Sequence, residues 1–237
     1  MIVHNDIKQG TKEWQDVRKL KFTASHASTI LARGRGVQTL IKQMLADYYS
    51  SGNYEEYSDK YKNSNMQRGN DYEAKARAVY ELETGNKVQQ VGFIETDEFE
   101  GCSPDGLVNE DGLLEIKNPN DNRFLQLILD EKIDKEYLDQ MQMQMYVSKR
   151  AWCDFFAFNP NFNPCYYTKR IHADLGTQVA LAQALQEAKE KLKSQKDILD
   201  KKLIAERSAT HVDILAEQFW YNTAKRKELK WTATNLN

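Results

Sequence analysis

The sequence predicts an α/β fold in which helices flank a central mixed β-sheet. Apolar residues recur at helical spacing up to Glu83, and the period shortens to two between Lys87 and Asn118. A further helix then precedes two more strand-like runs, an order typical of a mixed sheet with helical layers.

Thr11 caps a helix that begins Lys12-Glu13-Trp14. Ser25 starts a second, which runs through His26 to Leu31 and ends at the glycines 34 and 36. Val37 to Tyr49 is a third, with Leu40, Ile41, Met44, Leu45 and Tyr48 on one face. Residues 50–65 are polar and read as an exposed loop. Asn70 to Glu83 forms a helix closed by Gly85, with Tyr72, Ala76 and Val79 as its buried stripe. Strands follow over Lys87–Glu95, Gly106–Asn109 and Leu113–Asn118, separated by Asp/Gly turn signals. Then come a helix over Tyr137–Ser148, strands over Ala151–Phe158 and Cys165–Ile171, and a long charged helix from Asp174 to about Glu206. One domain is expected over residues 1–206. Residues 207–237, with Trp220 and Trp231, form an appendage without a clear pattern.

Of the 237 residues, 41% are apolar and 29% charged, which suits a globular chain with a buried core. No apolar run approaches the roughly 20 residues that a membrane span needs. The start, Met-Ile-Val-His-Asn-Asp, has neither the basic nor the apolar part of a secretory signal, so a cytoplasmic location is expected. Cys102, Cys153 and Cys165 are an odd set without a CxxC pair, which argues against a disulfide framework or a structural zinc site. His4, His26, His172 and His211 are scattered and read as structural or solvated. The net charge of -2 gives no global sign of a nucleic-acid partner; any positive charge serving one must be concentrated locally.

The stretch richest in chemistry is Ser103-Pro104-Asp105-Gly106, followed by Leu113-Leu114-Glu115-Ile116-Lys117. Side chains alternate along a strand, so Glu115 and Lys117 share one face while Leu114 and Ile116 enter the core on the other. A three-residue loop, Glu110-Asp111-Gly112, sets Asp105 opposite Lys117 and diagonal to Glu115 on that face; a two-residue loop sends it to the wrong one. The chemistry selects the longer loop, with Gly112 at positive φ. Two neighbouring carboxylates repel unless a cation lies between them, and hard oxygen donors with open water positions suit Mg²⁺ or Mn²⁺. A lysine beside such an ion can hold an attacking water or offset charge developing on a phosphate. Glu73, at the edge of its helix's apolar stripe, could add a third carboxylate. The same spacing also arises where Asp105 merely ends a turn and Glu115 pairs with Lys117 on the surface. Arg18 and Ser25 form a second candidate group: a helix start offers free N–H groups to a phosphate, and an arginine can bind one through paired donors. An ordinary cap and a surface charge would look alike in sequence.

Three strings carry a family resemblance: Arg68-Gly69-Asn70-Asp71-Tyr72-Glu73, Cys102-Ser103-Pro104-Asp105-Gly106-Leu107 and Leu114-Glu115-Ile116-Lys117. Together they resemble the phage-lambda-type alkaline exonucleases (viral recombinases) of the PD-(D/E)xK nuclease superfamily. Gly10-Thr11-Lys12-Glu13-Trp14 with Arg18 and Phe22-Thr23-Ala24-Ser25 is similar to that family's opening, and Tyr137-Leu138-Asp139-Gln140-Met141-Gln142 to its glutamine-bearing helix. The matches run in order from about residue 10 to residue 171. The resemblance implies a restriction-endonuclease-like core and two-metal hydrolysis of DNA phosphodiesters, with Mg²⁺ as the cofactor and Mn²⁺ able to substitute. In this scheme Asp105, Glu115 and the Ile116 carbonyl bind metal, Glu73 assists on the second-metal side, and Lys117 positions water. Arg18, Ser25, Ser103 and Gln140 hold the 5′-phosphate of the digested strand. Arg123 matches a basic position, where phosphate contact and plain solvation fit equally. Met66 falls where relatives carry an apolar wedge that splits the end base pair, and an ordinary buried methionine fits equally well. Arg68 stands where an aromatic residue is expected.

The resemblance further implies processive 5′→3′ digestion of linear duplex ends, leaving a 3′ single-stranded tail for recombination. It implies a homotrimeric ring, a single-strand annealing protein as partner, and a phage-infected or prophage-carrying bacterial host. A ring gives processivity through topology, which suits a chain with so little positive charge. The alternative is a catalytically inactive DNA-binding or adaptor protein on the same fold, against which the complete Glu73, Asp105, Glu115 and Lys117 set argues. An iron–sulfur nuclease needs four cysteines. A sequence-specific restriction enzyme would not need the Arg18/Ser25 group, and a glycoside hydrolase would leave Lys117 without a role. Met141, Met143 and Met145 read as core.

Overall fold

The strands sort into two mixed sheets flanked by helices. In chain order the elements are β1 (Ile2–His4), α1 (Lys12–Arg18), β2 (Phe22–Thr23), a 3-10 turn (Ala24–His26) leading into α2 (Ala27–Ala32), α3 (Arg35–Tyr49) and α4 (Ser64–Thr84). Then follow β3 (Val88–Gln89), β4 (Phe93–Asp97), β5 (Glu100–Cys102), β6 (Gly106–Val108), β7 (Gly112–Lys117), α5 (Asp121–Asp130), α6 (Lys135–Ser148), β8 (Trp152–Phe158) and β9 (Tyr166–His172). A last helix, α7, covers residues 175–203. This computed structural model describes residues 1–50 and 64–203, and its first compact unit is Met1–Lys189. The appendage expected at residues 207–237 lies outside the described residues, as does most of the loop expected at residues 50–65. No helix among the described residues is long and apolar enough to cross a membrane.

The five-stranded sheet has the order β3-β6-β7-β8-β9, and only its β7–β8 pair is parallel. A parallel neighbour requires a long crossover, which α5 and α6 supply. All seven residues of β8 are buried, as expected of a central strand covered on both faces. Leu114 and Ile116 of β7 join Phe156 and Phe158 of β8 in one apolar cluster with Ala76 and Tyr80 of α4. The other face of β7, carrying Glu115, lies against α6. The second sheet, β1-β4-β5-β2, packs on α6 through β4 and β5. With partners on so many sides α6 is buried nearly all round, and Met141, Met143 and Met145 are core residues as expected.

Local signals act as read in several places. The Thr11 hydroxyl accepts from the Trp14 N–H at 3.3 Å, and Gly85, at φ +70, closes α4. Others are corrected. α2 ends with Arg33 in the left-handed region (φ 53), Gly34 caps α3, and Gly36 lies within it. The cap before the 3-10 turn is Thr23, and Ser25 sits inside that turn. The single strand expected over Lys87–Glu95 is divided, β3 going to one sheet and β4 to the other.

The hairpin that carries the chemistry has the expected three-residue loop, placed one residue earlier. Val108 pairs with Gly112, Leu107 with Leu113 and Gly106 with Leu114, so the loop is Asn109-Glu110-Asp111. Asn109, not Gly112, takes the positive φ, at 50°. Gly112 is needed for a different reason: a Cβ there would lie 2.1 Å from the Trp152 ring. The Ala151 N–H donates to the Asp111 carbonyl at 2.8 Å, and the Trp152 indole donates to the Asp111 carboxylate at 3.0 Å, which fixes the loop to β8.

Candidate active site

The β6–β7 pairing ends at Gly106↔Leu114, so Asp105 lies just beyond the last paired residue and not in the expected place opposite Lys117. Its carboxylate is nevertheless near enough to Glu115 and Lys117 for both charges to act on it. The Asp105 N–H donates to the Leu114 carbonyl at 3.1 Å, and its Oδ2 accepts from the Ile116 N–H at 2.6 Å. Burial, and next the Glu115 charge, push the Asp105 carboxyl well above the usual carboxylate range; Lys117 and the Ile116 N–H only partly offset this.

Glu115 is buried, with 1% of its surface exposed, and both carboxylate oxygens are engaged. Oε1 accepts from Lys117 Nζ and, at 2.6 Å, from Gln140 Nε2; Oε2 accepts from Gln144 Nε2 at 2.6 Å. Burial opposes the charge on Lys117, yet Glu115 and Asp105 together raise its pKa and hold it protonated. Its ammonium also lies 4.8 Å from the centre of the Tyr137 ring, which stacks on Phe155.

Of these groups Asp105, Ile116, Lys117 and Tyr137 line a cleft of about 890 Å³, together with Glu73 and Arg123. Glu73, one turn before Arg77 on α4, is ion-paired with it. The lining includes Lys117, Arg123 and Lys132 but also Glu73, Asp105, Asp130 and Asp134, so the cleft wall is not a basic channel. Among the described residues no group of three His, Cys, Asp or Glu side chains is gathered to hold a metal ion. The donors nevertheless fit a hydrated, oxygen-preferring ion. Asp105, Glu73 and Ile116 line an open cleft with the buried Glu115 carboxylate close to Asp105, and Mg²⁺ typically takes one or two carboxylates and completes its shell with water and phosphate.

The second candidate group assembles around Ser103. Its hydroxyl accepts from the Trp14 indole at 2.9 Å and lies 3.4 Å from Arg18 Nη1, while the Arg18 guanidinium stacks 4.0 Å from the Trp14 ring centre. Ser25 is exposed, its hydroxyl 3.1 Å from that of Thr23. Burial, and then the charge of Arg18, lower the His26 pKa to about 4; its Nδ1 accepts from the Thr23 N–H. Gln140 is placed on Glu115 by its described hydrogen bond. Arg123 is exposed on the cleft, and the Met66 side chain lies outside the described residues. Arg68, in place of the expected aromatic residue, lies over the Tyr72 ring at 5.2 Å. Cys102, Cys153 and Cys165 are all free, and His4 pairs with Glu95.

Residues 13–151, a span that contains every group on this hairpin and α6, match the YqaJ-like viral recombinase domain. The chain belongs to that family. It is similar to a crystal structure of the alkaline exonuclease LHK-Exo from Laribacter hongkongensis: 32% identity, a TM-score of 0.73, and coverage of 81% of this chain and 97% of that one. A second structure of LHK-Exo, in complex with dAMP, matches to the same degree. A phage related exonuclease from Haemophilus somnus 129PT, at 16% identity and a TM-score of 0.51 over 76% of this chain and 98% of that one, shares the fold. No curated protein matches the chain. This family member is therefore a nuclease of the exonuclease type on a PD-(D/E)xK fold. Gln144 escaped the sequence reading. Its signal was a glutamine four residues after Gln140, on the same face of the helix and between the core methionines Met143 and Met145.

Proposed function

We propose that this nuclease is a divalent-metal-dependent, processive exonuclease that digests the 5′-ended strand of linear duplex DNA and leaves a 3′ single-stranded tail for recombination. The observation that carries the reading is Asp105 and Lys117 lining an open cleft, with the buried Glu115 carboxylate beside both of them. Asp105, Glu115 and the Ile116 carbonyl, with Glu73 on the same cleft, would hold Mg²⁺ or Mn²⁺, one ion or two, which supplies Lewis acidity toward a phosphodiester oxygen and a more acidic bound water. Lys117, kept protonated by its neighbours, would orient the attacking water and offset charge gathering on the phosphate. Arg18 and Ser103 offer donors to a terminal phosphate, with Ser25 nearby in sequence at the helical turn and Gln140 on the metal-side carboxylate. Arg123, exposed on the cleft, would meet the backbone, and Met66 would part the end base pair.

The same reading includes a homotrimeric ring, a single-strand annealing partner and action in the cytoplasm of a phage-bearing bacterium. A net charge of -2 and a mixed cleft wall favour grip by enclosure over grip by charge. The deciding experiment digests end-labelled linear duplex, with 5′-phosphate or 5′-hydroxyl ends, with and without Mg²⁺. Mononucleotide release from the 5′-phosphorylated strand, only with metal, is expected. Equal cleavage of covalently closed circles, or cleavage in chelator, would overturn it. Light scattering should give the mass of three chains.

A further inference from the structure

We infer that Gln144 is a positioning residue for the metal-facing carboxylate, holding the one oxygen of Glu115 that keeps spare acceptor capacity. This rests on the metal-dependent reading above. An ionised carboxylate offers about four acceptor positions, two on each oxygen. The described contacts place Lys117 and Gln140 on Oε1 but only Gln144 on Oε2. Oε2 therefore keeps one acceptor position that the described contacts do not fill, and Gln144 is the donor that sets the direction of the carboxylate.

The surroundings of Gln144 support a dedicated role. Its side chain is fully buried, in a helix whose neighbours Met141, Met143 and Met145 are core. A buried amide is tolerated at such a position only when it is hydrogen-bonded, and an aliphatic residue would serve packing alone better. The amide is also oriented at its far end: the Cys153 thiol donates weakly to Gln144 Oε1 at 3.9 Å, which leaves Nε2 to face Glu115. The backbone carbonyl of Gln144 accepts from Ser148 Oγ at 2.7 Å, within α6. Cys153 lies on β8, whose strand is paired residue by residue with β7. The amide is thus braced between the strand that carries Glu115's neighbour and the helix that covers it.

The test is Mn²⁺ binding to the full chain without DNA, followed by the loss of the free-ion EPR signal, for wild type, Gln144→Met and Gln144→Ser. Methionine keeps the volume and removes the donor; serine leaves space for water should methionine not fold. Loss of a partner behind a metal-binding carboxylate should weaken Mn²⁺ binding about 10- to 100-fold. Melting temperature without metal should fall more for methionine, which leaves the buried Oε2 unpartnered, than for serine, which admits a water, while both variants stay folded. In turnover assays the Mg²⁺ half-saturation should rise by the same factor, KM for duplex ends should not move, and excess Mn²⁺ should restore rate. Wild-type binding matched by both variants would overturn the role of Gln144 and leave the metal reading standing. A wild-type chain that binds no Mn²⁺ would instead remove the metal reading, and this inference with it. Failure of both variants to fold would make Gln144 a structural residue and overturn the positioning role.

Discussion

Asp105 and Ile116 are tied across the hairpin by a 2.6 Å hydrogen bond from the Ile116 N–H to the Asp105 carboxylate. The bond fixes one oxygen of Asp105 and, through the peptide plane, the direction of the neighbouring backbone. Asp105→Asn keeps an acceptor for that N–H and removes the carboxylate that the Glu115 charge opposes. Its melting temperature without metal should equal or exceed that of wild type, because like-charge repulsion and desolvation are relieved. Cleavage should fall by more than the roughly 10- to 100-fold that loss of a supporting partner costs. A well-folded Asp105→Asn enzyme with wild-type rate would remove Asp105 from the reaction.

Lys117→Ala leaves Glu115 with its two amide donors, so the fold should survive with a loss of about 1–3 kcal/mol, read by urea denaturation. Turnover should drop about 100-fold or more, while affinity for duplex ends, measured by anisotropy, stays within a few-fold. An unchanged single-turnover rate would show that Lys117 only balances charge.

Chelation by EDTA should stop digestion, with Mg²⁺ or Mn²⁺ restoring it. Ca²⁺ should bind but turn over poorly, since its looser shell orients water less well. Rates with all three ions, measured on the same duplex, decide this.

Arg18→Ala should erase most of the preference for 5′-phosphate over 5′-hydroxyl ends while slow cutting continues. A charge-assisted contact contributes about 1.5–3 kcal/mol, so the wild-type preference should be about tenfold to a hundredfold. Retention of full discrimination would place the phosphate away from the Arg18–Ser103 group.

His26 links stability to pH. Its folded pKa is about 4 against an ordinary 6.5, owing to burial and then Arg18. On acidification the unfolded chain takes up this proton first. The contribution is complete above the ordinary value and is lost as pH falls toward 4, by at most about 3 kcal/mol. His26→Asn keeps an acceptor for the Thr23 N–H and cannot titrate. Between pH 7 and pH 4.5 its melting temperature should fall less than that of wild type; parallel curves would contradict the assignment.

What the sequence made legible follows from how local each cause was. Alternation along a strand is a property of neighbours, so Glu115 and Lys117 on one face, with Leu114 and Ile116 opposite, were readable directly. The hairpin register was off by two residues because Gly112 was assigned to turn geometry. Its cause is the Trp152 ring, forty positions away in sequence. β1, β2 and β5 are two or three residues long, too short for a period, so the second sheet was invisible. α5 buries only Phe124 and Leu127, a stripe too thin to announce a helix. Gln144 was hidden among methionines because its use depends on a carboxylate that arrives from another element.

The crossover between β7 and β8 has a bearing on safety inside a cell. The hairpin assembles Asp105, Glu115 and Lys117 from nearby chain, but the amides that engage Glu115 come from 25 and 29 residues further on, beyond a helix and a turn. Contacts of that sequence separation form only after their loop has closed. A nascent or half-folded copy of the chain therefore holds acidic residues without a finished cutting centre. On the proposed function, cutting therefore begins only after α6 has docked on β7.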